Sequence, residues 1–260
     1  MNRSWLTGFA LLAVTVLPRV GFGQTSWSDS FPSGPQRTWS LAANGPTGAA
    51  QTYGSGYTIL SGSGAGAVFA SVSSPTFSGS TGVTVRAILN PNASTQSVAN
   101  GVLAATNLAF GNAYTATITM GGSGFLEIQR NSFGSATQIA STGSAFTPGF
   151  NGLSSYLLEL VVAPNSSRIT ANAYDSTGTT LLNSISAVDP SALTGNYTAG
   201  ILMQRNNAGL VQGTFGNVSA VGVPEPSAVA LAIVGAAGLL GTGGWRRLRS
   251  RRTAGKSAAS

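Results

Sequence analysis

Ala113-Tyr-Thr-Ala-Thr-Ile-Thr-Met120 puts Tyr114, Ala116, Ile118 and Met120 on one face and Thr115, Thr117 and Thr119 on the other. This period of two belongs to a strand with one side in a core and one side toward water. The pattern recurs on either side. Val83, Val85, Ala87 and Leu89 alternate with Thr84, Arg86 and Ile88. Tyr156, Leu158, Leu160 and Val162 alternate with Leu157, Glu159 and Val161, and Ile169, Ala171 and Ala173 alternate with Arg168, Thr170, Asn172 and Tyr174. Gly, Pro, Asn and Ser clusters punctuate these runs at Ser61–Gly66, Asn90-Pro91-Asn92, Gly121–Gly124, Pro164–Ser167 and Asp175–Gly178. No window of a dozen residues before the C-terminal tail carries a 3.6 period. Residues 24–223 therefore read as all-β, with about a dozen strands in a single antiparallel two-sheet sandwich.

Composition narrows the chemistry. Of 260 residues, 13 are Lys or Arg, 6 are Asp or Glu, and none is His or Cys. Without Cys there is no disulfide framework, thiolate nucleophile or zinc finger; without His there is no Ser-His-Asp triad or imidazole base. The net charge of +7 sits in the tails. Between residues 24 and 223, Arg37, Arg86, Arg130, Arg168 and Arg205 face Asp29, Glu127, Glu159, Asp175 and Asp189, which makes the body neutral. A nucleic-acid binder needs a basic stripe on its folded domain, so nucleic acid is not an expected partner. The only lysine, Lys256, lies outside the body, which removes Ser-Lys chemistry.

Residues 1–23 have the build of a secretory signal peptide: Arg3, an apolar run from Trp5 to Leu17, then Pro18 and the small residues of Gly21-Phe22-Gly23. Cleavage is expected between Gly23 and Gln24. At the other end, Val223 leads into Pro224-Glu225-Pro226, where two prolines halt strand or helix. Ala228 to Trp245 follows without a charge, long enough as a helix for about 27 Å of bilayer core. Arg246, Arg247, Arg249, Arg251 and Arg252 come next, and by the positive-inside rule hold residues 253–260 in the cytoplasm. The motif, the apolar helix and the Arg cluster in this order closely resemble the PEP-CTERM sorting signal of Gram-negative bacteria. The resemblance covers residues 224–252. It implies an exosortase-type membrane protease as partner, with Pro224, Glu225 and Pro226 as the processing motif. It also implies a transient inner-membrane anchor, then release to the cell surface or extracellular matrix.

A looser resemblance covers the body. The opening Trp27-Ser-Asp-Ser-Phe31, the strands Ser155–Ala163 and Ser167–Tyr174 turning at Asp175–Gly178, and the closing Gly213–Ser219 look like the concanavalin A-like jelly roll, shared by laminin-G modules and legume lectins. It implies paired first and last strands, with Phe31 near Phe215. A generic jelly roll or an immunoglobulin-like sandwich fits the same periodicity. The resemblance also raises calcium, with Asp29, Asp175 and Asp189 as the available ligands, but each sits in a turn-forming context and no cofactor is expected. Glycosidases on this fold need paired carboxylates; here only Glu127 and Glu159 qualify, on separate strands, and no catalytic residue is assigned. Trp27, Trp39, Tyr53, Tyr57 and Tyr174 are candidate sugar-stacking aromatics that serve equally as core. The expected function is an exported, non-enzymatic surface or matrix protein binding glycan, such as a surface polysaccharide, or another surface component. The competing reading is a secreted glycosidase-like hydrolase on the same fold.

Overall fold

The computed structural model describes residues 25–31, 34–45, 48–53, 56–61, 65–90, 98–107, 111–120, 125–132, 135–143, 155–205 and 211–223. These form fifteen strands in two sheets, every pairing antiparallel. Numbered in chain order, the first sheet holds β1 (Ser26–Asp29), β3 (Ala50–Tyr53), β4 (Tyr57–Ser61), β6 (Val83–Asn90), β11 (Tyr156–Val162), β12 (Ile169–Asp175), β13 (Leu181–Ala187) and β15 (Val211–Gly222). Its order is β13-β12-β11-β6-β15-β4-β3, with β1 also on β15. The second sheet holds β2 (Trp39–Asn44), β5 (Gly66–Phe77), β7 (Val98–Asn107), β8 (Asn112–Met120), β9 (Leu126–Ser132), β10 (Ser135–Ser141) and β14 (Tyr197–Arg205), in the order β10-β9-β8-β7-β14-β5-β2. The one helical element described is a single 3-10 turn, Pro164–Ser166.

The alternation in the sequence sorts side chains as a sandwich requires. Val83, Val85, Ala87 and Leu89 join Leu158, Leu160, Val162, Tyr114, Ala116 and Ile118 in one core between the sheets, all fully buried. The first and last strands pair as the jelly-roll resemblance implies, Ser26 opposite Val221 and Asp29 opposite Val218. Phe31 lies just beyond β1, with φ 52°, rather than in a strand facing Phe215. The Gly213–Phe215 half of β15 pairs with β4 instead, and both phenylalanines enter the same core. The hairpin β11–β12 closes at Pro164–Ser167, while Asp175–Gly178 turns β12 into β13.

One expectation fails on the second sheet. Its outer side is not a simple polar surface: Phe69, Leu103, Ala105, Ala113 and Leu202 form a second buried cluster, and Thr115 and Thr117 are fully buried beside them. Gln204 of β14 donates to Gln129 of β9 at 2.7 Å, across the two strands between them. Three strand spacings make about 14 Å, a gap that two glutamine side chains close only if the sheet curls toward this side.

Candidate functional site

The carboxylates are best placed first, because any acid–base chemistry depends on them. Glu127 of β9 points away from the core, between buried Leu126 and Ile128, and accepts from Gln129 Nε2 at 3.0 Å. Glu159 of β11 also points outward, but from the other sheet. Two sheets packed about 10 Å apart therefore stand between the two glutamates, and they do not converge.

Glu159 also departs from the solvated charge that alternation suggests. It is 4% exposed. Arg86 Nε donates to its Oε2 at 2.5 Å, with Nη2 of the same guanidinium against it as well. Asn172 Nδ2 donates to Oε1 at 2.7 Å, and Tyr174 OH reaches the same oxygen at 3.4 Å. Cross-strand register explains the cluster: Arg86 and Asn172 are the partners of Glu159 on β6 and β12, and Ser184 of β13 continues the row by donating to Asn172 Oδ1 at 2.6 Å.

The three aspartates raised as calcium ligands are each surrounded by donors, the wrong polarity for a cation. Fully buried Asp29 accepts from the backbone N–H groups of Phe31, Gln36 and Arg37 and from Trp39 Nε1, at 3.0–3.2 Å. Asp175 caps its own turn, and hydrogen bonds from Thr180 and Thr177 hold its carboxyl well below the usual carboxylate range. Asp189 takes Arg130 Nη1 at 3.0 Å, Tyr114 OH at 2.9 Å and the backbone N–H of Ser191 at 2.9 Å. Among the described residues no three acidic side chains are grouped as a metal site. The aromatics divide similarly. Trp27, Trp39 and Tyr57 belong to the buried core, Tyr53 packs against it, and Tyr174 lies half-buried beside Glu159. Gly23, Gln24, the Pro224-Glu225-Pro226 motif, the stretch 228–245 and the cluster Arg246, Arg247, Arg249, Arg251 and Arg252 all lie outside the described residues. Among those described, no helix is long and apolar enough to cross a membrane.

The structure adds a site that the sequence did not single out. Three connections meet at the end of the sandwich where the body's first and last strands also meet: the β5–β6 turn, the 3-10 turn after β11 and the β13–β14 loop. They line a cleft of about 230 Å³, open to solvent on one side, formed by Ser78, Ser80, Asn165, Leu193, Thr194 and Asn196. Gly79 and Gly195 complete the wall, and a Cβ on Gly79 would stand 2.2 Å from the Gly195 carbonyl oxygen. No ionisable side chain lines it.

A hydrogen-bonded network holds the walls. Leu193 N–H donates to Tyr114 OH at 2.8 Å, and Tyr114 OH donates to Asp189. Arg130 Nη1 bonds both Asp189 and the Ser191 carbonyl, so a strand of the second sheet pins the β13–β14 loop. Ser166 Oγ donates to the Leu193 carbonyl at 2.9 Å and lies 2.5 Å from Tyr197 OH. Asn165 N–H donates to the Gly79 carbonyl at 2.7 Å. Burial pushes the Tyr114 hydroxyl up to about 12, and neighbouring Asp189 adds to this by disfavouring a second negative charge. Asn165 and Ser166, with φ 54° and 52°, occupy the left-handed region that non-glycine residues rarely enter. In the sequence, Pro164–Ser167 shows only as a turn, and Asp189 only as a turn former.

No family model matches this chain, and no curated protein matches it. Solved structures are similar at the level of fold. A protein of unknown function from Shewanella oneidensis, SO2946, aligns with TM-score 0.53 at 13% identity, over 87% of this chain and 97% of its own. Arcelin-5, a lectin-like defence protein from Phaseolus vulgaris, aligns with TM-score 0.51 at 10% identity, over 78% and 99%. The GH43 protein BlXynB from Bacillus licheniformis aligns with TM-score 0.50 at 9% identity, over 75% of this chain and 39% of its own. The body thus has the two-sheet sandwich fold of lectin-like proteins.

Proposed function

We propose that the chain is an exported, non-enzymatic surface or extracellular-matrix protein whose sandwich binds a glycan or another surface component. Its signal peptide directs export. An exosortase-type protease then processes it at Pro224-Glu225-Pro226, after a transient stay in the inner membrane on the apolar stretch 228–245. The observation that carries the binding reading is the separation of Glu127 and Glu159 on opposite outer sides of the sandwich. Glycoside hydrolysis calls for two carboxylates within about 10 Å, one of them able to give up a proton to the leaving group. Both oxygens of Glu159 are occupied as hydrogen-bond acceptors, by Arg86 on one and by Asn172 and Tyr174 on the other. A lectin-like protein among the similar folds supports binding, and the GH43 protein keeps the hydrolase reading as the alternative to test. The exported protein, incubated with a panel of bacterial polysaccharides, should be retained on one of them without releasing reducing ends. Reducing ends that appear with the wild type and vanish with Glu159→Gln or Glu127→Gln would make it a hydrolase.

A further inference from the structure

We propose that the pocket between the β5–β6 turn, the Pro164–Ser166 turn and the β13–β14 loop binds an uncharged, polyhydroxylated ring, one sugar residue in size. The proposal rests on the binding reading above and gives it a location. The chemistry of the lining selects the ligand class. Ser78, Ser80 and Thr194 bring hydroxyls, Asn165 and Asn196 bring carboxamides, and Leu193 brings one apolar face. Hydroxyls and carboxamides both donate and accept, which suits a ring whose own hydroxyls do the same. A charged ligand would find no counter-ion, because Arg130 and Asp189 neutralise each other behind the wall. A pocket of about 230 Å³ falls just below the range of about 300–1,000 Å³ for drug-sized ligands, a size that suits one ring.

The walls are also set in place before anything binds. Two successive non-glycine residues in left-handed backbone are strained and persist only where the surroundings over-determine them. Here the Asn165 N–H is fixed on Gly79, and the Ser166 hydroxyl is fixed between the Leu193 carbonyl and Tyr197. Asn165, exposed, lines the pocket together with Asn196 of the β13–β14 loop. Neither carboxamide has a hydrogen-bond partner among the described residues. The Ser78 and Ser80 hydroxyls bond each other at 2.8 Å, and the backbone of the wall, already fixed, loses little entropy when a ligand arrives.

The test uses the exported protein and two arms. In the first, neutral methyl hexosides, a methyl N-acetylhexosaminide and a methyl uronide are titrated by ligand-observed NMR and calorimetry. In the second, retention on neutral bacterial polysaccharides is measured. Asn165→Gly removes the carboxamide while relieving the left-handed strain, so folding should hold or improve; Asn196→Ala removes the other. Each should weaken the neutral glycoside by roughly two- to tenfold, as expected for loss of one hydrogen bond to a ligand, and the uronide should bind neither the wild type nor the variants. Equal binding by wild type, Asn165→Gly and Asn196→Ala would overturn the pocket while leaving glycan binding intact. Polysaccharide retention without binding of any neutral glycoside would do the same. Failure of both arms would overturn the pocket and the glycan reading together.

Discussion

Glu159 and Glu127 look alike in the sequence, each an acid flanked by apolar residues on an alternating strand, yet they are different groups in the fold. Glu159 is shielded by Arg86, Asn172 and Tyr174, whereas Glu127 meets, among the described residues, the Gln129 amide. Glu159→Gln leaves the Arg86 guanidinium without its counter-charge and should lower the unfolding free energy by about 1–2 kcal/mol, moderated because Arg86 is half-exposed. Glu127→Gln should stay within about 0.5 kcal/mol of wild type. Urea denaturation of the two variants measures the contrast, and equal effects would contradict the burial seen here. Alternation alone puts both acids on the outward faces of their strands and does not carry this difference. The tyrosines make a second residue-scale statement. Burial raises Tyr114 to about 12, and raises Tyr57, Tyr197, Tyr53 and Tyr174 as well. An unfolded phenol titrates near 10. Between about pH 10 and 12 the unfolded chain has therefore lost protons that the folded chain keeps, and stability must fall as pH rises through that window. Below about pH 10 these groups contribute no pH dependence. Phenolate absorbance should lag behind that of free tyrosine and rise together with unfolding.

At the scale of elements, the first strand is held less by its four residues than by the aspartate that ends it. Asp29 gathers three backbone N–H groups and the Trp39 indole, tying the chain after β1 to the start of β2, and so joining the two sheets. Around this knot Trp27 meets Trp39 edge-on at 5.8 Å, and Trp39 packs on Tyr57 at 4.8 Å. Asp29→Ala should cost at least about 3 kcal/mol, since it strands several buried donors at once. Thermal unfolding followed by tryptophan fluorescence reports on the same cluster; a shift of only a degree or two would mean that the knot is dispensable. The strands themselves were legible: β6, β8, β11 and β12 fall where period-two runs lie, and their apolar sides are the buried ones. Illegible were the partners that only the third dimension supplies. Nothing local says that Asp189 meets Arg130, 59 positions away, or that Ser166 meets Tyr197 across a loop. Nor does alternation say that Thr115 and Thr117 are as deeply buried as Tyr114 and Ala116, because the curl of the second sheet is a property of seven strands together.

The whole molecule is unusual in how it distributes charge, and this gives processing a physical signature. The full chain has a net charge of +7 and an isoelectric point near 10.6. Residues 24–223 hold five arginines against five acids, so the excess belongs to the two ends. Removing residues 1–23 takes away Arg3 and Arg19; cutting at or near Pro224-Glu225-Pro226 takes away the five clustered arginines and Lys256. A body with no net charge, no His and no Lys loses its basicity in these two cuts and should focus near the acidic-to-neutral range, because no group but the new termini titrates between the carboxylates and the phenols. A plain anchor behaves otherwise: signal cleavage alone leaves the Arg cluster, and the surface protein stays strongly basic. Isoelectric focusing of the protein from the cell surface separates the two outcomes without requiring the exact cleavage position. Mass spectrometry of the same band then locates the new C-terminus, expected within a few residues of Pro224. Recovery of peptides spanning residues 246–252 from a basic surface species would mean that Pro224-Glu225-Pro226 is an ordinary linker and that the arginines are a permanent stop.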